Sequence, residues 1–445
     1  MTRGSVARVR RATLWLLLAV AFAAAAPPVA LGADWLPIET VGTFSSRNPS
    51  GVTLAGNGRG DAVALWRDER GLQVAVARRG APFAKARRVP GSSPTSPGDV
   101  AVMGAVLNEG GKALIQWVAR GRVYVAGLDV DGGFGRTRAV TPASGLGRFS
   151  SAIGPRGRFA IAYTDGPSNK RLYARSAPPS GDLGPPIRIA ANATAHAVWY
   201  AGTRPYVAYT QPSEEHRMLR ERRIGARGRS RVIANLPKNA GIHVDTASNG
   251  VQAAVWSSGD GHGTKEPLLA AVRRPGGVFQ PQQLDFRVQP QVLDVAVAPS
   301  GAALVGWAEW NEATTEDGES DTPEYWPSGR IVTAYRSPGG AFGEPRAFRP
   351  DSEPALIEFL EMDINSRGQA ALTWEGTRFY GIQHRLFAAV QARGEQPHVR
   401  PLTELDEPPG RRTEGGSIAI DEQSRTAVDW TTGKRIRAMR GRFQR

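Results

Sequence analysis

The 445-residue chain contains no cysteine. This excludes disulfides, zinc–cysteine clusters and thiol nucleophiles, so the fold must be held together by packing. After the N-terminal segment, no apolar run is long enough to cross a membrane. The chain also has no Gly-x-Ser-x-Gly elbow, phosphate-binding loop or His-Glu-x-x-His motif. The common signatures of hydrolases, nucleotide-binding proteins and metalloproteases are therefore absent from the sequence.

The first 32 residues have the three-part pattern of a secretory signal peptide. A positive region is followed by an apolar run from Leu14 to Ala26 and by small residues up to Gly32. We expect cleavage near Gly32, and a mature chain of residues 33–445 that is extracellular or held in the cell envelope, without a membrane span. An uncleaved anchor helix is the alternative, which the short run and Pro27-Pro28 disfavour.

The formal net charge of +15 suggests acidic partners such as nucleic acid, anionic polymers or lipid headgroups. The basic residues are dispersed, however. The densest cluster, 217–231, includes Glu221 and has no interleaved aromatic residues. We therefore expect a solvated basic surface and no nucleic-acid partner. Binding of an anionic polymer through this surface remains an alternative, which elution from a polyanion column at low salt would contradict.

One signature recurs along the chain: a glycine, alternating small or apolar residues, and an aromatic residue six places after the glycine. Gly60 and Trp66 show it in its simplest form, and Ser424 replaces the glycine in the last copy. Neighbouring aromatics are 46 to 51 residues apart in the first six copies, and the last two intervals are 67 and 56. The eight units are centred on Trp66, Trp117, Tyr163, Tyr209, Trp256, Trp307, Trp374 and Trp430.

Each unit reads as four strands, because period-two alternation continues on both sides of the glycine turn. Phe83, Phe134, Phe279 and Phe342 mark the predicted start of a polar fourth strand. A sheet that is apolar on both faces must stack on its neighbours. The sequence thus predicts an all-β fold, a single β-propeller of eight four-stranded blades. We expect residues 35–41 to close the ring; seven blades, an open array or two smaller propellers remain alternatives.

This pattern resembles the secreted bacterial β-propellers of the NHL and sialidase-like kind. The resemblance covers the whole mature chain and implies that the strand before each glycine lines a central channel. It is specific for architecture and not for activity. The sialidase Asp-box, Ser/Thr-x-Asp-x-Gly-x-x-Trp, is missing, since the nearest segments, such as 245–250, lack its spacing. Sialidase activity is therefore not expected.

The chain has six histidines, which stand apart in the sequence. His196 and His243 both lie 13 residues before the aromatic of their unit, on predicted channel strands. A metal site shared between blades is conceivable, but two candidates do not complete a ligand set, and structural histidines are the favoured interpretation. We assign no catalytic residue, no metal ligand and no cofactor.

The sixth unit departs most from the repeat, because an acidic segment with extra aromatics follows Trp307. Insertions that project from a rigid scaffold are common places for binding. We therefore predict a ligand site whose aromatics stack on sugar rings and whose carboxylates accept hydroxyl hydrogen bonds. The predicted residues are Trp310, Tyr325, Trp326, Glu309 and Asp317. A solvated hairpin tip without ligand contact and a calcium site around Asp317 are the alternatives.

Together these features favour a non-catalytic, monomeric binding scaffold for a glycan, a cell-envelope polymer or a protein partner. The alternative is a propeller-fold carbohydrate-active enzyme, either a glycosidase or a polysaccharide lyase, with its site at the channel mouth. Buried carboxylates with Arg or His at one end of the channel would favour the enzyme. A channel mouth of Ala, Val and Ser would count against it.

Overall fold

The architecture is taken from a computed structural model of the chain. It describes residues 33–43, 52–92, 100–141, 146–165, 171–178, 182–225, 229–238, 240–257, 266–288, 292–311, 328–348, 356–378, 383–402, 413–432 and 435–443. Within these ranges the regular structure is 33 strands and one 3-10 turn, Pro155–Gly157. No helix among these residues is long and apolar enough to cross a membrane.

The strands form eight antiparallel sheets, or blades. The first four blades are β3(Val52–Gly56), β4(Ala62–Asp68), β5(Gly71–Ala77) and β6(Arg87–Arg88); β7(Val100–Leu107), β8(Lys112–Ala119), β9(Arg122–Asp129) and β10(Arg138–Ala139); β11(Leu146–Ile153), β12(Phe159–Asp165), β13(Arg171–Ala177) and β14(Ile187–Ala191); β15(Thr194–Ala201), β16(Arg204–Pro212), β17(His216–Arg223) and β18(Arg231–Pro237).

The other four blades follow the same order, except that the last one takes its outer strands from the N-terminus. They are β19(Gly241–Thr246), β20(Gln252–Ser257), β21(Glu266–Arg273) and β22(Gln282–Val288); β23(Leu293–Val297), β24(Ala303–Asn311), β25(Ser328–Arg336) and β26(Arg346–Phe348); β27(Leu356–Ile364), β28(Gln369–Arg378), β29(Gln383–Ala392) and β30(His398–Pro401); β31(Thr413–Ile420), β32(Arg425–Thr432) and β33(Arg435–Phe443) with β1(Ala33–Trp35) and β2(Glu39–Thr43).

The first strand of each blade, hereafter the inner strand, contacts the inner strand of the next blade around the whole ring. The last inner strand, β31, contacts the first, β3, so the ring is closed. Each inner strand also pairs with only one strand of its own blade and leaves its other edge toward the centre. The predicted single propeller of eight blades is confirmed, and the seven-bladed, open and two-propeller alternatives are wrong.

Closure by the N-terminus is confirmed as well, with a difference in detail. Strand β1 pairs with residues 441–443 of β33, and β2 pairs with residues 435–438 of the same strand. Residues 36–38 interrupt the predicted single strand 35–41, although the Leu36 N–H still donates to the Arg440 carbonyl at 2.8 Å. The closing segment therefore covers the outer edge of β33 and joins the first and last described strands.

The glycine of each repeat occupies the left-handed region, as its turn requires. The φ angle is +83° at Gly60, and Ser424 adopts +66° at the same place in the eighth blade. An asparagine three places before the glycine links neighbouring blades in part of the ring. Asn57 Nδ2 donates to the Asn108 carbonyl at 2.9 Å, and Asn365 Nδ2 donates to the Asp421 carbonyl at 2.9 Å.

The eight repeat aromatics are buried, with exposures of 0 to 3%. A hydrophobic cluster fills each of the eight interfaces between neighbouring blades. The ring is thus stabilised by successive sandwich-like interfaces rather than by one central core.

The outer strands differ from the sequence prediction. Phe134 and Phe342 each form an isolated bridge to the third strand of their blades, and Phe83 lies outside the strands. The outer strand begins a few residues later and is as short as Arg87–Arg88. The phenylalanine therefore marks the corner before the fourth strand rather than the strand itself.

Candidate functional site

The inner strands surround a central channel, and the direction of these strands distinguishes its two ends. Inner strands begin at one face, which we call the strand-start face, and run to the glycine turns at the other. Second strands return to the strand-start face, so the segment that joins β24 to β25 leaves and rejoins the fold there. This segment, 312–327, lies outside the described residues.

One position of the inner strand has an unusual composition around the ring. It is the residue 13 places before the repeat aromatic, and it directly follows the residue that pairs with that aromatic. We call these eight residues the channel layer. In blade order they are Thr53, Gly104, Ser150, His196, His243, Asp294, Glu361 and Ser417. Half of the ring carries small residues, and the fourth to seventh blades carry two histidines and two acids.

Two further carboxylates lie two residues beyond the channel layer, Asp245 in the fifth blade and Asp363 in the seventh. We call Asp245, Asp294, Glu361 and Asp363 the acidic sector. All four side chains are half-buried on three consecutive inner strands. The sector therefore places four carboxyl groups on one side of the channel.

Three members of the acidic sector join neighbouring blades through the backbone. Asp245 Oδ2 accepts from the Val297 N–H at 2.8 Å, and Asp294 Oδ2 accepts from the Met362 N–H at 3.0 Å. Asp363 Oδ2 accepts from Ile420 N–H at 2.8 Å in the same way. Each carboxyl thus satisfies an N–H on the free edge of the next inner strand, which the ladder leaves without a strand partner.

Burial and mutual repulsion raise the pKa values of these carboxyls. Burial is the main cause at Asp294, where the charges of Asp245 and Asp363 add to it and the pKa is about 8. Burial raises the pKa of Asp363 to about 7. It also raises the pKa of Asp245, and that of Glu361 well above its ordinary value. Part of the acidic sector therefore carries protons at neutral pH and can donate as well as accept hydrogen bonds.

A further buried carboxyl, Asp429, lies on β32, the second strand of the eighth blade. Asp429 is fully buried, and its Oδ1 accepts from the Ser417 N–H at 3.3 Å. Its Oδ2 has no hydrogen-bond partner among the described residues. Burial raises the pKa of Asp429 to about 8, and its charge contributes to the raised pKa of Glu361, which also bonds to the Ser417 side chain.

The two histidines of the channel layer have different surroundings. His243 is half exposed, and its Nδ1 lies 4.0 Å from Asp294 Oδ1 in the next blade. His196 sits on a bulge of β15, and its Nε2 lies 2.9 Å from the Thr210 hydroxyl. The two histidines lie on neighbouring inner strands, as their equal distance from the repeat aromatic predicts. Within the described ranges, however, no three His, Asp or Glu side chains converge as a metal-binding set.

The sixth-blade site predicted from the sequence lies mostly outside the described residues. Asp317, Tyr325 and Trp326 fall in 312–327, and Trp310 is described only through its backbone pairing with Gly329. Glu309 is buried. It accepts from Trp307 Nε1 at 2.8 Å and from Arg330 Nε at 2.6 Å. The two ends of the segment lie at the strand-start face, and its ligand role stays a prediction.

Known proteins give little guidance beyond the fold. No family model matches the chain, and no curated protein matches it. Among solved structures, it is similar to the polysaccharide lyase Uly1 (12% identity, 79% of this chain, 91% of that chain, TM-score 0.43). It is also similar to the β-propeller domain of the Trilobed protease from Pyrococcus furiosus (8% identity, 80% and 99%, TM-score 0.45) and to AofleA from Arthrobotrys oligospora (12%, 86% and 94%, 0.40). A β-propeller can host many functions, so the fold by itself is consistent with binding and with catalysis.

Proposed function

We propose that this protein is an exported binding scaffold that holds a polyhydroxylated ligand, a glycan or cell-envelope polymer, in the channel against the acidic sector. The observation that supports this most directly is the asymmetry of the channel layer. Small residues line one side, which leaves room for a ligand, and groups that form hydrogen bonds line the other. A rigid eight-bladed ring holds these groups in fixed positions without ordering a loop.

The raised pKa values of the acidic-sector carboxyls support a ligand with many hydroxyl groups. A protonated carboxyl donates through its O–H, and a carboxylate accepts from two hydroxyls. Near neutral pH the sector contains both forms, since the pKa is about 8 at Asp294 and about 7 at Asp363. Neighbouring sugar hydroxyls also need both donors and acceptors. The predicted aromatics of the sixth-blade segment would approach the same ligand from the strand-start face.

The test is a glycan array probed with the purified protein and two channel variants, His243→Ala and Asp294→Asn. His398→Ala is the matched control, because His398 is an exposed histidine on the outer strand β30. We expect binding of a defined set of glycans, a loss of about fivefold to a hundredfold in each channel variant, and no change in the control. An array without bound glycans, or equal binding by all four proteins, would contradict the proposal.

One observation favours an acid–base enzyme as the second candidate. Asp294 combines a pKa of about 8 with a histidine 4.0 Å away, and a carboxyl of this kind can serve as a general acid near neutral pH. The reaction would be glycoside hydrolysis or polysaccharide elimination. Incubation with a panel of polysaccharides tests it through new reducing ends and through absorbance of unsaturated products. Binding without either signal would leave the scaffold as the function.

A further inference from the structure

A cavity of about 350 Å³ lies at the seam where the eighth blade meets the first. It lies between a different pair of blades from the acidic sector, although Ile420, whose N–H bonds to Asp363, also lines it. Its walls are mainly small and apolar, with Ala62 and Ala77 from the first blade and Ala419 and Ala427 from the eighth. Leu36 of the closing segment lines it and is 47% exposed. The cavity is therefore bounded by the elements that close the ring.

The place that the cavity occupies at the seam holds a bulky side chain in one other interface. Between the sixth and seventh blades this place is taken by Tyr335, three residues beyond the partner of Trp307 on the third strand. The equivalent residue of the eighth blade is Arg440. Its guanidinium turns aside to Glu39, with Nε 3.1 Å from Oε1, and also donates to the Gly80 carbonyl.

The size of the cavity also points to a ligand, because the seam leaves about 350 Å³ unfilled at an interface that is otherwise packed. A cavity of about 150 Å³ already holds benzene, so this one has room for a larger molecule.

The rim of the cavity determines the chemistry at the other end of the ligand. Arg425 and Arg440 are held by Asp421 and Glu39, while Arg442 is an exposed cation on the same rim. We propose that the seam cavity binds a small apolar acid, with its hydrocarbon part among the alanines and its anionic group at the arginine rim. Such a ligand contacts the first blade, the eighth blade and the closing segment, and stabilises the closed ring by mass action.

The fluorescent probe 1-anilinonaphthalene-8-sulfonate tests the proposal, with decanoate as the competing acid. We expect one bound probe per chain, displacement by decanoate, and a melting temperature that rises with decanoate concentration. The uncharged analogues N-phenyl-1-naphthylamine and decanol should bind more weakly. If they bind as tightly as the acids, the arginine rim plays no part and the assignment of an acid is overturned.

Variants separate the cavity from other apolar surfaces. Ala427→Leu fills the cavity and should weaken probe binding by at least about tenfold, because a packed interface cannot hold both groups. Leu114 and Leu304 occupy the equivalent position in two other blades, so the leucine should fold.

Two exposed apolar residues outside the cavity provide the controls, Ile38→Ser in the closing segment and Val278→Ser in the fifth blade. Both variants should bind the probe as the unaltered protein does. Loss of binding in Ile38→Ser, with binding retained in Ala427→Leu, would place the probe on the surface and overturn the proposal. An unaltered protein that binds no probe would do so too. Near-ultraviolet circular dichroism shows whether each variant retains its packing.

Discussion

The Oδ2 atom of Asp363 accepts a 2.8 Å hydrogen bond from the backbone N–H of Ile420, on the inner strand of the next blade. Asp245 and Val297 have the same relationship two blades earlier. In both cases the carboxyl binds the N–H one step further along the neighbouring strand. A side chain thus replaces the strand pairing that the central edge of a blade lacks. The acidic sector consequently has a structural role in addition to any ligand that it binds.

This relationship predicts how the sector contributes to stability. Asp363→Ala removes the acceptor for the N–H groups of Ile420 and Ile364, and leaving them unsatisfied should cost about 1–3 kcal/mol in urea unfolding. Asp363→Asn keeps one acceptor oxygen and should cost less. Asp182→Ala is the control, because this aspartate is exposed and its nearest described cation, Arg138, lies 3.9 Å away. Equal unfolding midpoints for Asp363→Ala and Asp182→Ala would refute the role.

The raised pKa values predict an unusual dependence of stability on pH. Asp294 and Asp429 have folded pKa values of about 8, against about 4 in the unfolded chain. Between these values the folded state holds protons that the unfolded state has lost. Their contribution to the free energy of unfolding is therefore full below about pH 4 and declines as the pH rises toward 8. The melting temperature should fall between pH 5 and pH 9.

Two variants test the source of that slope. Asp294→Asn has no titrating group and should flatten the decline of the melting temperature. Asp129→Asn should not, because the hydrogen bond from Lys112 lowers the pKa of Asp129. A group with a lowered pKa loses its contribution only as the pH falls through the folded value, well outside this window. A slope that both variants leave unchanged would show that the sector does not cause it.

The architecture could be predicted because its signals are local. A glycine turn needs a positive φ, and a repeat aromatic such as Trp307 must fill an interface. The glycine and the aromatic therefore recur at a regular interval that the sequence shows directly. The outer strands gave a weaker signal, since a pair such as Arg87–Arg88 shows no alternation. Phe342 shows the difference, because it forms an isolated bridge at the corner and does not begin the strand.

The acidic sector was not predicted, although the sequence contained the signal. His196 and His243 both lie 13 residues before the aromatic of their unit. The same offset in the sixth and seventh units falls on Asp294 and Glu361, which belong to the same layer. The inter-blade bonds, in contrast, could not be foreseen, because the N–H that Asp363 binds lies 57 residues away on an otherwise ordinary apolar strand. Nor does a spacing reveal the seam cavity, because its walls come from two blades and from the closing segment.

Glycine substitutions can separate backbone strain from interface packing. Gly202 and Gly368 have φ angles of +60° and +78°, so alanine at either should cost about 1–2 kcal/mol. At Gly202 a new Cβ meets no atom within 4 Å, whereas at Gly368 it would overlap the Tyr335 hydroxyl. Gly368→Ala should therefore cost about 1–3 kcal/mol more in urea unfolding. Adding Tyr335→Phe should recover part of this difference; if it recovers none, the cost does not come from the hydroxyl.

The sixth-blade segment allows a test of binding that leaves the ring intact. Strands β24 and β25 pair up to Asn311 and Ser328, so an Asn-Gly turn in place of 312–327 can close the hairpin. The predicted ligand residues Asp317, Tyr325 and Trp326 are removed with it. We expect an unchanged melting temperature and a loss of glycan binding of at least about tenfold, as for the removal of stacking aromatics.

The matched control shortens a different loop on the same face. Residues 258–265 join the second and third strands of the fifth blade and lack aromatics and a run of acids. Their replacement by two residues should leave both the melting temperature and glycan binding unchanged. If the two shortened proteins bind glycans equally well, the sixth-blade segment is a solvated hairpin, and any recognition must come from the channel layer alone. If both lose binding, the whole strand-start face is needed, and the specific role of Tyr325 and Trp326 is refuted.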